Sequence, residues 1–127
     1  MKKSAFLFLI LSIVLFSCKE TTPPPTRTQL LTDENWFPDG DGFEECEKDD
    51  PFDFEDDGTF VILIDEGIPC DSVPDKQRLS GFWTFYLDNK LILYYDADEL
   101  DTFLIENLTE EQLILYSGVG DSLIFKH

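Results

Sequence analysis

The chain has 127 residues, 27 of them acidic and nine basic, for a net charge of −18 with 14% aromatic residues. That length holds one domain and excludes two of ordinary size. A field of this sign excludes nucleic acid as a partner, because phosphates are neutralised by Lys and Arg.

Taken in order, the chain opens with Met1-Lys2-Lys3 and an apolar run, Ala5–Phe16, broken only by Ser12. The run is too short for a membrane-spanning helix and fits the apolar core of a secretory leader over residues 1–17. Leu15-Phe16-Ser17-Cys18 follows, apolar three before the cysteine and small just before it. This resembles the bacterial lipoprotein signal, and the resemblance implies lipidation of Cys18, palmitate-type acyl chains included, and a membrane contact made through them. Without Lys2 and Lys3, seven basic residues face 27 acidic ones, so the mature chain sits near −20. Such a surface repels anionic headgroups, which leaves the acyl chains as the anchor.

Residues 18–28 (CKETTPPPTRT) read as a tether. Three consecutive prolines favour extended polyproline II, a spacer of about 30 Å over ten residues. Lys19 stands where lipoproteins kept in the inner membrane tend to carry aspartate, so the outer membrane of the cell envelope is the expected location.

Residues 29–127 are the expected domain. Leu30 and Leu31 suggest a short turn of helix, and Trp36-Phe37 a first strand. Pro38–Gly42 reads as loop, and the acidic stretch to Asp50 as irregular. Strands are expected over Phe52–Phe54, Thr59–Asp65, Leu79–Tyr86, Leu91–Tyr95, Thr102–Leu108, Gln112–Tyr116 and Ser122–Lys126, from their two-residue alternation and the turn residues between them. Gly67–Gln77 is expected to be loop, and Asp96–Asp101 an acidic turn of helix. Eight short strands joined by hairpin-sized connections predict an all-β, up-and-down meander that closes into a barrel and so removes its own edges.

With Cys18 lipidated, Cys46 and Cys70 are an even pair in an exported domain. A bridge between them would close a loop of about 24 residues and add about 3 kcal/mol. Two buried free thiols are the alternative. An opening Leu30-Leu31 and Trp36 precede Cys46-x-Lys48-Asp49-Asp50, Phe52-x-Phe54 and Asp57-Gly58-Thr59-Phe60. Gly81-x-Trp83, Asn89-x-Leu91, Ile105-x-x-Leu108-Thr109, Leu113-Ile114-Leu115 and Leu123-x-Phe125 follow. Together these resemble the lipocalin-like domain of small bacterial lipoproteins. The resemblance implies a barrel or calyx and a Cys46–Cys70 disulfide, and says little about activity.

Catalysis is not expected. The sole histidine is His127, outside the body of the fold, and no cofactor motif is present. Asp39-Gly40-Asp41 begins like a calcium loop, but Glu44 stands where the glycine of such a loop belongs. Asp39, Asp41, Glu44 and Glu45 are at most a loose cation site. Two binding functions remain. A calyx could hold a small hydrophobic ligand, with Trp36, Phe60, Trp83 and Tyr94 as wall residues. Alternatively, a solid acidic barrel could bind or inhibit a basic protein, as lysozyme inhibitors do, by electrostatic steering. An interior cavity favours the first and a filled interior the second.

Overall fold

The computed structural model describes residues 22–43, 45–65, 76–96 and 98–127. The leader, Cys18, Glu44 and Cys70 lie outside these residues. Among the described residues no helix is long and apolar enough to cross a membrane.

A short helix α1 (Arg27–Thr32) precedes eight strands: β1 (Phe37–Asp39), β2 (Phe52–Phe54), β3 (Thr59–Asp65), β4 (Lys76–Tyr86), β5 (Lys90–Asp96), β6 (Glu99–Leu108), β7 (Gln112–Tyr116) and β8 (Leu123–Lys126). All pairings are antiparallel, and the sheet runs β1-β8-β7-β6-β5-β4-β3-β2. The two outermost strands then meet. Trp36, just before β1, exchanges both backbone hydrogen bonds with Phe52 of β2, at 2.9 and 2.7 Å. This single bridge nearly closes the sheet into a barrel, as the meander predicts.

Pro38 belongs to β1 rather than to a loop. Trp36 turns its backbone groups toward β2, so by alternation Phe37 turns toward β8 and Pro38 back toward the seam. A missing N–H costs nothing there, since no ladder continues across the seam.

Residues paired across strands share a face, and the register sends one face of every strand inward. Trp36, Phe54, Phe60, Ile62, Trp83, Leu91, Leu93, Leu113, Leu115 and Phe125 are buried in one cluster. The rings meet at angles that suit aromatic quadrupoles: Phe54 is edge-on to Trp83 at 6.4 Å, and Phe60 to Tyr95 at 5.5 Å. The alternating outward positions are more exposed, Phe82, Tyr86 and Tyr94 among them, which is the pattern of a wall around a filled interior.

α1 plugs the end of the barrel where β2, β4 and β6 finish. Thr26 and Gln29 form a reciprocal capping box, which satisfies amides that a six-residue helix would otherwise leave bare. Leu31 is fully buried, and its carbonyl accepts from Trp36 Nε1 at 3.0 Å. Arg27 stacks over the Phe85 ring at 4.4 Å. The folded part therefore begins inside the stretch read as tether, at its last three residues.

Two further boundaries differ from expectation. Lys76 and Gln77 extend β4, through pairing with Asp65 and Ile64. Glu99–Asp101 is strand, paired with Asp96, Tyr94 and Leu93, where an acidic helical turn is predicted. A ladder supplies backbone partners that an isolated helical turn would lack, and that outweighs the weak strand preference of Glu and Asp.

Candidate functional site

The four aromatic residues expected to line a calyx do not form one wall. Trp36, Phe60 and Trp83 are core residues packed against one another's neighbours. Both indoles are also committed: Trp36 Nε1 to the Leu31 carbonyl and Trp83 Nε1 to the Glu55 carbonyl at 2.9 Å. Tyr94 is on the other face of the sheet, beside Phe82 in the β4–β5 ladder, and open to solvent.

Of the acidic-loop candidates, Asp39, Asp41 and Glu45 are described, and they do not converge. Asp39 pairs with Lys126 at 2.5 Å, which holds its carboxyl below the usual carboxylate range. Glu45 pairs with Lys48 at 2.6 Å, and Asp41 is exposed. Among the described residues no three Asp, Glu, His or Cys side chains converge. The loop instead folds over the second end of the barrel. Phe43 packs edge-on against Phe125 at 5.5 Å, and Cys46 is buried in a 3-10 turn, Glu45–Glu47, that contacts β3. A hollow of about 110 Å³ remains beneath it, between Phe43, Phe52, Pro38, Leu63, Glu47 and Asp50.

The larger concavity lies across the same end and has a local cause. At Gly81 the Tyr94 carbonyl occupies the place where a Cβ would stand, with the Phe60 ring at 3.1 Å behind it. Only glycine lets β5 step inward over β4 here. The ladder between the two strands stops at Phe82↔Tyr94, the β5–β6 register shifts between Tyr94 and Asp96, and β4 runs on toward Lys76 with no ladder partner on that side among the described residues.

The result is a notch of about 810 Å³ in the barrel wall. One side is Arg78, Leu79 and Ser80 of β4, and the floor is Tyr95. The other side is Asp98, Glu99, Leu100 and Asp101, at the tip of the β5–β6 hairpin. Burial pushes the Tyr95 phenol well above its ordinary range, and a hydrogen bond with Asp101 adds to this. The tyrosine thus stays protonated and donates to a carboxylate on the far wall. Three carboxylates against one guanidinium leave the notch acidic. From Leu100 on its wall, a cross-strand apolar row runs on through Tyr94 to Phe82, with Phe82 64% and Leu100 55% exposed.

His127, the one imidazole, is at the opposite end, stacked on Trp36 with ring centroids 3.8 Å apart. It cannot serve the notch as a base. The alternation locates Leu79–Tyr86 and Leu91–Tyr95 as strands beside this site, but the expected helical turn at Asp96–Asp101 hides its second wall, and the site itself is not foreseen. The available signal was Gly81, a glycine inside an otherwise unbroken strand pattern, which marks a bulge or a close backbone approach.

No family model matches this chain, and no curated protein or solved structure is significantly similar to it. The barrel and its notch therefore carry the functional reasoning by themselves.

Proposed function

We propose that this chain is a lipid-anchored, extracytoplasmic acidic barrel of the lipocalin-like kind, which binds a basic protein through its open end. The observation that carries this reading is the interior. Trp36, Phe54, Phe60, Trp83 and Phe125, the large aromatics an apolar ligand would need as walls, are buried against one another. What remains accessible is the notch with Asp98, Glu99 and Asp101 on a chain of net charge −18, a surface that attracts cations over several ångströms at low ionic strength.

The leader and the cysteine at position 18 support anchoring in the cell envelope, with Lys19 favouring the outer membrane. A Cys46–Cys70 disulfide belongs to the same reading. Cys46 is buried beside β3, and Cys70 follows the end of β3 by five residues, a reach of about 17 Å at most.

The test is calorimetric titration of the full mature protein with cationic proteins, lysozyme included, at low and high salt. Binding that weakens by about ten-fold or more between 20 and 300 mM salt is the expected result. A second reading, a small hydrophobic molecule held in the notch, is favoured by its volume and by Leu79, Tyr95 and Leu100 on its walls. Stoichiometric lipid in native mass spectra of the purified protein, with no affinity for cationic proteins, would replace the first reading by the second.

A further inference from the structure

The β4 edge facing the notch carries backbone groups with no ladder partner among the described residues, and the hydrogen-bond pattern identifies them. Glu55 N–H donates to the Thr59 carbonyl at 2.8 Å, so Thr59 faces β2. By alternation Phe60 and Ile62 face β4, and their partners Gly81 and Leu79 face β3. Trp83 agrees, its N–H donating to the Gly58 carbonyl at 2.8 Å on the β3 side. Arg78 and Ser80 must then aim N–H and C=O the other way, into the notch. β5 would have covered them had it not stepped inward over Gly81.

We propose that this edge takes up an extended, basic segment of the partner protein as an added strand, beside β4 at Arg78–Ser80. The inference rests on the basic-partner reading above and specifies how that partner is held. A strand laid along this edge gains about four backbone hydrogen bonds from the two residues. Its side chains alternate: one set turns inward over Leu79 and Tyr95, and flanking positions meet Asp98, Glu99 and Asp101 on the opposite wall. An apolar residue between lysines or arginines satisfies both. A second copy of this chain is a poor occupant, since it brings the same large negative charge into a notch already acidic. Strand edges left open invite pairing, and the like-signed carboxylates here select against self-association while admitting a cation.

The experiment uses the full mature chain, 15N-labelled, with acetyl-(Lys-Val)4-amide as probe and a twin peptide methylated on every backbone nitrogen. The twin has the same charge and no backbone N–H donors. In the free protein the Arg78 and Ser80 amides should exchange rapidly. The first peptide should slow both by ten-fold or more and shift their resonances, and the twin should bind at least ten-fold more weakly. Ser80→Pro, which removes an N–H aimed into the notch, should cost the first peptide about ten-fold in affinity. Should that variant unfold, the pair Asp98→Lys and Glu99→Lys at the exposed hairpin tip should weaken binding at least five-fold. Amides already protected in the free protein would overturn strand addition, as would equal binding of the twins, shifts confined to Asp39–Asp57, or unchanged affinity in the lysine pair. Salt-sensitive binding of lysozyme would survive those results and keep the basic-partner reading. Loss of lysozyme binding as well would remove both.

Discussion

The two ends of this barrel are built on opposite plans. At the α1 end both indole N–H groups meet backbone carbonyls, and a capped helix lies over the opening. At the other end one strand stops early, a tyrosine and an aspartate share a hydrogen bond at the wall, and carboxylates stand around the gap. The difference teaches where stability and recognition reside. The indoles, the feature a sequence reader notices first, hold the closed end together. The open end is marked by a glycine and a few acids beside Tyr95.

The largest expected effect of a single change is at the junction of the two plans. Gly81→Ala would push a methyl group into the Tyr94 carbonyl, which is backbone and cannot swing aside. A loss of about 3 kcal/mol is expected in urea unfolding, and a loss below about 1 kcal/mol would mean that β5 does not cross there. At the closed end, Trp36→Phe removes the donor to Leu31 and leaves a gap under α1. It should cost about 2 kcal/mol, with the Arg27–Phe85 contact loosened in the same variant, as read by faster amide exchange in α1.

Smaller effects sharpen the contrast without breaking it. Leu87, in the β4–β5 turn at the closed end, has φ of 54° and is 68% exposed, so its side chain strains the backbone and packs against little. Leu87→Gly should raise stability by about 1 kcal/mol, visible as a higher Tm. The smallest effect is electrostatic. Asp53 first, with burial and Asp57 after it, raises the Glu55 pKa above its usual value. A raised carboxyl pKa means that the ionised form opposes folding. The penalty is present at neutral pH and fades as pH falls through the folded and then the unfolded value. Glu55→Gln should therefore lift Tm slightly at pH 7 and leave it unchanged near pH 3. Equal shifts at both pH values would assign the effect to packing instead.

Much of the wall was legible in the sequence because each strand carries its own alternation and its own turn. Phe52–Phe54 and Thr59–Asp65 around Asp57-Gly58 fold as expected, as do Gln112–Tyr116 and Ser122–Lys126 within a residue. What escaped depends on strand pairing rather than on local composition. Glu99–Asp101 has the composition of a turn and becomes strand through β5, and Pro38 is tolerated only because a seam lies on its bare side. The start of α1 was readable after all: Thr26-x-x-Gln29 is a capping-box signature inside what composition alone assigns to a proline-rich spacer. The notch was not readable as a cavity. It arises from where β5 ends relative to β4, a matter of register between strands, and only Gly81 hints at it.

The seam at Trp36 and Phe52 also sets an order of events. β1 lies against β8, so Phe37 near the start of the domain waits for Lys126 near its end. As the polypeptide emerges, every hairpin from β3 to β7 can form with its neighbour at once, yet the cylinder stays unlatched until the last strand arrives. Assembly is then governed by the slowest kind of contact, one between remote parts of the chain.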